Sequence, residues 1–395
     1  MNNKEIRYNL TRYLFGALPA RLGDEMSGQA ILLMGLAATQ TVFLGSTLLA
    51  GLTFSAALGG PLLGAILDRA QQPGRVLAGA LGLYAGLIAL IALSLGHVPV
   101  WASIVIALAA GFFMPAISGG WSSRLKSFVA DEQMTRASAI DATTFNIAGL
   151  VGPALAGLVA AMLGAHWAIA VLVTLLVAAL PMAWLLPKRP KSTKQSHNTS
   201  LWRDMSDGFK VIITNKALFR ITLTSLISYM GIGMLWVICP LVGKEVFGNA
   251  GYGGVLMSVL SIGALVATVA YAKWPMRYSP DAVAFGATLA LGIAMLVLAF
   301  AGNIIITLIA MLIAGLADGP QLAAIFAVRH REAPERSRSQ VFTTGASLKI
   351  TMAALGAVLA GQLAGISLLV MVLIAAFVQI MAAISFVLSS RSSAR

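Results

Sequence analysis

The chain has 395 residues, of which 58% are hydrophobic and only 10% charged, and its mean hydropathy is +0.87. Soluble globular chains run at about 45–50% apolar and about 25% charged, so this composition excludes a soluble multidomain protein and predicts a polytopic membrane protein. The formal charge of +13 would point to nucleic acid in a soluble chain; here it poses a question of where the cations lie. The single cysteine, Cys239, excludes an internal disulfide framework and a thiolate metal cluster. His97, His166, His197 and His330 are scattered without ligand spacing, so no metal and no cofactor is expected.

In chain order, Lys4, Arg7 and Arg12 precede the first apolar run, as in a signal peptide. That run holds Arg21, Asp24 and Glu25, and more spans follow, so it is read as an uncleaved first helix. A helical span needs about 20 apolar residues. Runs of that length occupy 13–37, 41–66, 75–96, 99–121, 137–163 and 165–186, then 217–241, 251–273, 281–301, 303–327, 341–364 and 366–388. Continuous apolar runs mean helices, which satisfy their own backbone in lipid, whereas a barrel needs short alternating strands. The predicted fold is an all-α membrane protein with twelve transmembrane helices in two pseudo-symmetric six-helix halves. The halves span 1–186 and 217–395, joined by a cytoplasmic linker at 187–216.

With both termini in the cytoplasm, 24 of the 27 Lys and Arg fall in cytoplasmic segments, Arg124 and Arg329 among them. Only Lys244 lies outside, and Arg21 and Lys349 lie within spans. Cytoplasmic enrichment in Lys and Arg is what orients a membrane protein, so the +13 reports topology and implies no nucleic-acid partner. A multi-pass protein of the bacterial inner membrane is expected.

The longest polar stretch, Pro187–Ser200, reads as a flexible linker. It is followed by Leu201–Arg220, where Trp202, Met205, Phe209 and Ile212 recur at three- and four-residue spacing. That pattern suits an amphipathic helix in the membrane interface or one packed on the bundle. The halves also repeat. Gly152–Ala160 matches Gly356–Ala364 at an offset of 204, and Asp131 falls on Glu335 at the same offset. Two six-helix repeats joined by a basic linker are the layout of a secondary transporter.

Three stretches carry a family resemblance. The loop after the second span runs from Gly64 through Asp68 and Arg69 to Arg75, one residue longer and one cation poorer than the G-x-x-x-D-R-x-G-R-R loop signature it resembles. In the fifth span Gly149, Gly152, Pro153 and Gly157 resemble an abbreviated G-x-x-x-G-P-x-x-G-G motif, marking exporting branches; ordinary tight packing of small residues is the alternative. The stretch with Trp202, Asp204, Gly208, Phe209, Asn215, Leu218 and Arg220, together with Gly23-Asp24, is similar to drug:proton antiporters that include macrolide-efflux proteins and the enterobactin exporter. The chain therefore resembles the major facilitator superfamily over nearly its whole length. The resemblance implies a cytoplasmic latch at Gly64, Asp68, Arg69 and Arg75. Physically, Asp68 suits the free amides opening the eleventh span, with Arg69 pairing to Asp131 or Glu132; two solvated charges capping a helix end are the alternative.

Charges inside the spans are the remaining candidates. Asp24 lies eleven residues into the first span, about 17 Å of rise, near the middle of a core about 30 Å thick. A carboxylate there is a functional hypothesis by default, and a low dielectric disfavours its charged form, which suits a group that takes up and releases a proton. Glu25 is rotated about 100° from it, so at most one of them faces squarely into a central cavity. Arg21 is placed to neutralise either, leaving a structural ion pair as the alternative. Asp318 and Lys349 fall at similar depth on the tenth and eleventh spans, either as a structural salt bridge or as a pair that opens during transport. Asp141, about one turn into the fifth span, reads as a helix-start charge. Phe145, Asn146, Tyr229, Met230, Met234 and Trp236 are candidates for an adaptable apolar pocket.

The function these residues imply is secondary active transport: a monomer in the bilayer that exports a small hydrophobic or amphipathic compound, drug or metabolite, against entering protons by alternating access. A facilitator or importer of the same fold, and a non-transporting membrane regulatory protein, are the alternatives. No H-E-x-x-H, G-x-S-x-G or phosphate-binding G-x-x-x-x-G-K-[ST] occurs, so an enzyme is not expected.

Overall fold

The computed structural model describes residues 3–39, 42–129, 131–187, 201–248, 252–273, 278–363 and 367–391. The linker stretch 188–200 lies outside the described residues, as do the side chains of Trp202, Asp204 and Met205. Every regular element among the described residues is helical: α1 (Asn3–Thr39), α2 (Val42–Arg69), α3 (Pro73–Ser94), α4 (Val100–Gly111), α5 (Trp121–Arg124), α6 (Met134–Leu163), α7 (Ala165–Trp184), α8 (Leu201–Thr214), α9 (Lys216–Phe247), α10 (Tyr252–Lys273), α11 (Pro280–Ala299), α12 (Ile304–Glu332), α13 (Arg338–Leu363) and α14 (Leu368–Arg391). Among the described residues, eleven helical segments are long and apolar enough to cross a membrane. α1 has 37 residues, about 55 Å, but carries Arg12, Arg21, Asp24 and Glu25 and falls outside that set. The prediction of twelve crossing helices therefore rests, for its twelfth, on α1.

Local chemistry sets the boundaries. α4 gives way after Gly111 and resumes as one π-helical turn at Ala116–Gly120 leading into α5; Pro115, at its entry, has no amide hydrogen to donate to a regular ladder. Asn215 stops α8 and caps α9, its side-chain oxygen accepting from the amides of Ala217 and Leu218, each at 3.0 Å. Gly164 links α6 to α7 with φ 101°, a left-handed conformation that glycine adopts without penalty.

The described residues cluster into two compact units. The first comprises Met1–Ala130, Ile147–Val211 and Ala333–Ser347; the second comprises Asp131–Asn146, Ile212–Glu332 and Leu348–Arg395. In the first, α1 packs on α2 and α7, α3 on α4 and α7, and α2 on α4. In the second, α9 packs on α10 and α14, α11 on α12 and α14, and α10 on α12. The two lists show the same packing pattern in each unit. Gly111 and Gly315 stand at the repeat offset, and each lies so close to a neighbouring carbonyl, Leu52 and Leu260 respectively, that a Cβ would collide with it. Small residues at crossings are how membrane helices approach closely.

The second unit also holds a buried polar hub. Gln321 of α12 donates to Thr288 of α11 at 2.6 Å and to Ser228 of α9 at 3.0 Å, and Gln379 of α14 donates to the Ser228 carbonyl at 2.7 Å. All four residues are buried. Gln321→Leu leaves the buried Ser228 hydroxyl short of its partner, at about 1–3 kcal/mol, while Thr288 keeps its bond to the Ala284 carbonyl at 2.7 Å. The expected result is a lowered melting temperature of the purified protein; an unchanged one would show that the hub carries no stability.

Candidate functional site

In the first unit, α1 presents its charges to three neighbours. Arg21 is buried and its Nη2 donates to Ser122 of α5 at 3.0 Å. Asp24 lies one turn on, beside the Tyr84 hydroxyl of α3. Neither Asp24 Oδ1 nor Tyr84 OH completes a hydrogen bond with good geometry, although both atoms are shut from solvent. Ser27 donates to the Asp24 backbone carbonyl at 2.6 Å. Glu25 is exposed and takes another direction, toward α6, where a Cβ on Gly152 would lie 2.8 Å from the Glu25 Cβ. Asp24 and Glu25 thus have different surroundings, as their 100° separation requires.

Of the glycines singled out in α6, only Gly152 sits at a close approach; a Cβ on Gly149 or Gly157 would meet nothing within 4 Å. The tight-packing reason for a glycine applies at one position of the three.

The loop residues take part in a longer contact. Asp68 is buried, its Oδ1 accepting from the Ser339 amide at 3.0 Å and its Oδ2 from the Gln340 amide at 2.8 Å. These are first-turn amides of α13, which have no partner within their own helix and carry the positive end of its dipole. The contact continues along α2. A Cβ on Gly64 would collide with Gln340, Thr343 Oγ1 donates to the Gly60 carbonyl at 2.6 Å, and Ser347 Oγ donates to the Ala56 carbonyl at 2.6 Å. Ala56, Gly60, Gly64 and Asp68 are four apart, one face of a helix. Arg75 is not brought to this joint; it is exposed, its guanidinium 4.9 Å from the centroid of the Trp184 ring. The second unit has a counterpart, where Asn146 of α6 donates to Thr268 Oγ1 of α10 at 2.8 Å and to the Ala264 carbonyl at 3.3 Å. Residues 264 and 268 stand 204 after 60 and 64. Asp131 opens a short helical turn at Asp131–Gln133 in the second unit.

Also in the second unit, Lys349 lies within electrostatic reach of Asp318, and its ammonium sits 3.6 Å from the centroid of the Tyr229 ring. The aromatic face attracts the cation, a neighbour that pairing of the two charges alone does not foresee. Phe145 packs on Phe326, ring centroids 5.5 Å apart. The carbonyl of Met230 presses on Gly356. Met234 is buried in the apolar core with Leu235 and Ile238, whereas Trp236 is 52% exposed. Met234 and Trp236 are about 200° apart on α9 and do not face one surface.

Two cations counted as loop residues are buried inside the bundle. Arg124 ends α5, and Arg329 lies within α12, which continues five residues past its predicted end. Asp141 is fully buried two turns into α6, correcting its reading as a helix-start charge. No group of three or more His, Cys, Asp or Glu placed to hold a metal ion occurs among the described residues.

The family model described as Major Facilitator Superfamily matches residues 13–348, and the chain belongs to that superfamily; it is a multi-span membrane transporter. An MFS-type transporter of Sinorhizobium fredii is 26% identical over 94% of this chain and 92% of its own. The multidrug efflux pump Tap of Mycolicibacterium fortuitum is 28% identical over 69% of this chain and 71% of its own. Among solved structures, a bacterial homologue of the iron transporter ferroportin in an outward-facing state superposes with a TM-score of 0.79 at 16% identity, covering 97% of this chain and 99% of the other. The fucose:proton symporter of E. coli gives 0.75 at 13% identity, covering 98% and 99%. At such identities the likeness to these structures is one of fold.

Proposed function

We propose that the protein is a proton-driven exporter of a small hydrophobic or amphipathic compound, working by alternating access from the bacterial inner membrane with both termini cytoplasmic. The observation that carries this reading is Asp24, a carboxylate midway along α1 with Oδ1 buried and unpartnered. Burial of that kind is expensive for a permanent charge and suits a group that is neutral in one step of a cycle and ionised in another. The similarity to a multidrug efflux pump supports the outward direction. Two six-span halves, 1–186 and 217–395, would move about the linker. The α2–α13 joint at Asp68 and the α6–α10 joint at Asn146 would hold the cytoplasmic ends together in one state and part in the other.

The test is transport by the purified protein in vesicles with an acidic lumen, offered a panel of labelled amphipathic compounds. One proton falling through one pH unit supplies about 1.4 kcal/mol, enough for about a tenfold accumulation of a substrate moved against it. The expected result is accumulation of at least one compound, abolished by a protonophore. Equilibration indifferent to the protonophore would make the protein a facilitator.

A further inference from the structure

Around the end of α12 in the second unit, several cations and carboxylates are paired. Arg331 donates to Asp281 and to Glu332, each at 2.8 Å, Arg220 also pairs with Asp281, and Asn215 donates to Glu332 at 3.2 Å. Arg329 is two residues before Arg331, about 200° around the helix, and is 1% exposed. Its Nε and Nη2 meet no acceptor. On the same helix Asp318 is eleven residues away, about 16 Å of rise. A buried cation without a counter-charge is among the most costly arrangements a fold can hold. The guanidinium is also the side chain whose planar fork of donors matches a carboxylate.

The surroundings indicate what shape of ligand would fit. Tyr229 lies within electrostatic reach of Arg329, and the same ring holds the Lys349 ammonium on its face. One turn before Arg329 on the same helix, Phe326 packs on Phe145, ring centroids 5.5 Å apart, which places an apolar aromatic pair three residues from the guanidinium along α12. With the cytoplasmic ends assigned as above, Arg329 lies three residues from the cytoplasmic end of α12, the side from which an exporter collects its load.

We infer that the transported compound is an amphipathic organic anion, its carboxylate or like group taken by Arg329 and its apolar body by Phe145 and Phe326. This rests on the transport reading and gives it a substrate class. The ligand supplies the counter-charge that the described residues do not, so a neutral or cationic analogue of equal size leaves Arg329 uncompensated and binds less well.

The test is thermal stabilisation of the purified full-length protein by three probes of one shape, 2-naphthoate, its neutral amide and 2-naphthylmethylamine, with larger aromatic carboxylates and their amides as a second series. Hydrogen bonds to charged groups predict half-saturation by the carboxylate at a concentration about ten- to a hundredfold below that of its amide. Arg329→Gln should erase that preference and Arg329→Lys should retain part of it. If Arg329→Gln fails to fold, the wild-type and Arg329→Lys titrations decide. No stabilisation by any carboxylate, equal stabilisation by acid and amide, or a preference that survives Arg329→Gln overturns the inference. Asp24→Asn should keep the preference, so a protein that selects carboxylates yet ignores the proton gradient sinks the coupling reading alone. One that is proton-driven without selecting them sinks the anion assignment alone.

Discussion

In Asp24→Asn, accumulation driven by a pH gradient should fall to unity while exchange of labelled for unlabelled substrate across the same membrane continues. The amide keeps the size of the carboxyl and removes the only event the mechanism asks of it, gain and loss of a proton. The surroundings of Asp24 favour this separation. Its carboxyl lies beside the Tyr84 hydroxyl, with Glu25 and Arg21 within electrostatic reach, and Arg21 also donates to Ser122, which holds the cation in place when the carboxylate is replaced. Loss of exchange together with accumulation would instead mean that Asp24 holds substrate or structure. Undiminished accumulation would remove it from the mechanism.

The second large effect is expected at Asp68. Its two oxygens bind the Ser339 and Gln340 amides, and hydrogen bonds to a charged group are worth about 1.5–3 kcal/mol each. Loss of both, about 3–6 kcal/mol, means that Asp68→Ala shifts the α2–α13 joint toward its parted state by roughly a hundred- to ten-thousandfold, and transport falls because one state of the cycle is no longer reached often enough. The readout is thiol labelling of Thr343→Cys, a buried position bonded to Gly60; the native Cys239 is buried elsewhere in the second unit. Labelling should accelerate by about the same factor when Asp68→Ala is added. An unchanged rate would mean that the carboxylate does not hold the joint.

These effects differ in how far they could be read in the sequence. The Gly64–Asp68 loop is legible because its residues are contiguous and its chemistry, an acid four residues after a glycine, points to helix amides. Ala56 and Gly60 extend the same face, but small residues at four-residue spacing occur throughout a membrane chain rich in Ala and Gly. Only the close approach of Thr343 and Ser347 singles them out. The hub of Ser228, Thr288, Gln321 and Gln379 could not be assembled from sequence, since each residue is an isolated polar group on a separate helix and one sequence does not fix helix rotation. The same limit scattered the suggested pocket. Met234 and Trp236 are near neighbours in the chain, yet one is buried in the core and the other half-exposed. Arg329 was hidden for a different reason. Cations close to a span end read as loop residues under the topology rule, and only its burial takes it out of that class.

Proton counting tests the central claim most directly. In weakly buffered detergent solution at a pH where Asp24 is protonated without substrate, adding a transported compound should release about one proton per protein, because an antiporter binds its two cargoes in competition. The account predicts that release from the wild type and none from Asp24→Asn, each measured at a substrate concentration that saturates it. Equal release from the two proteins would contradict it and move the proton to another group.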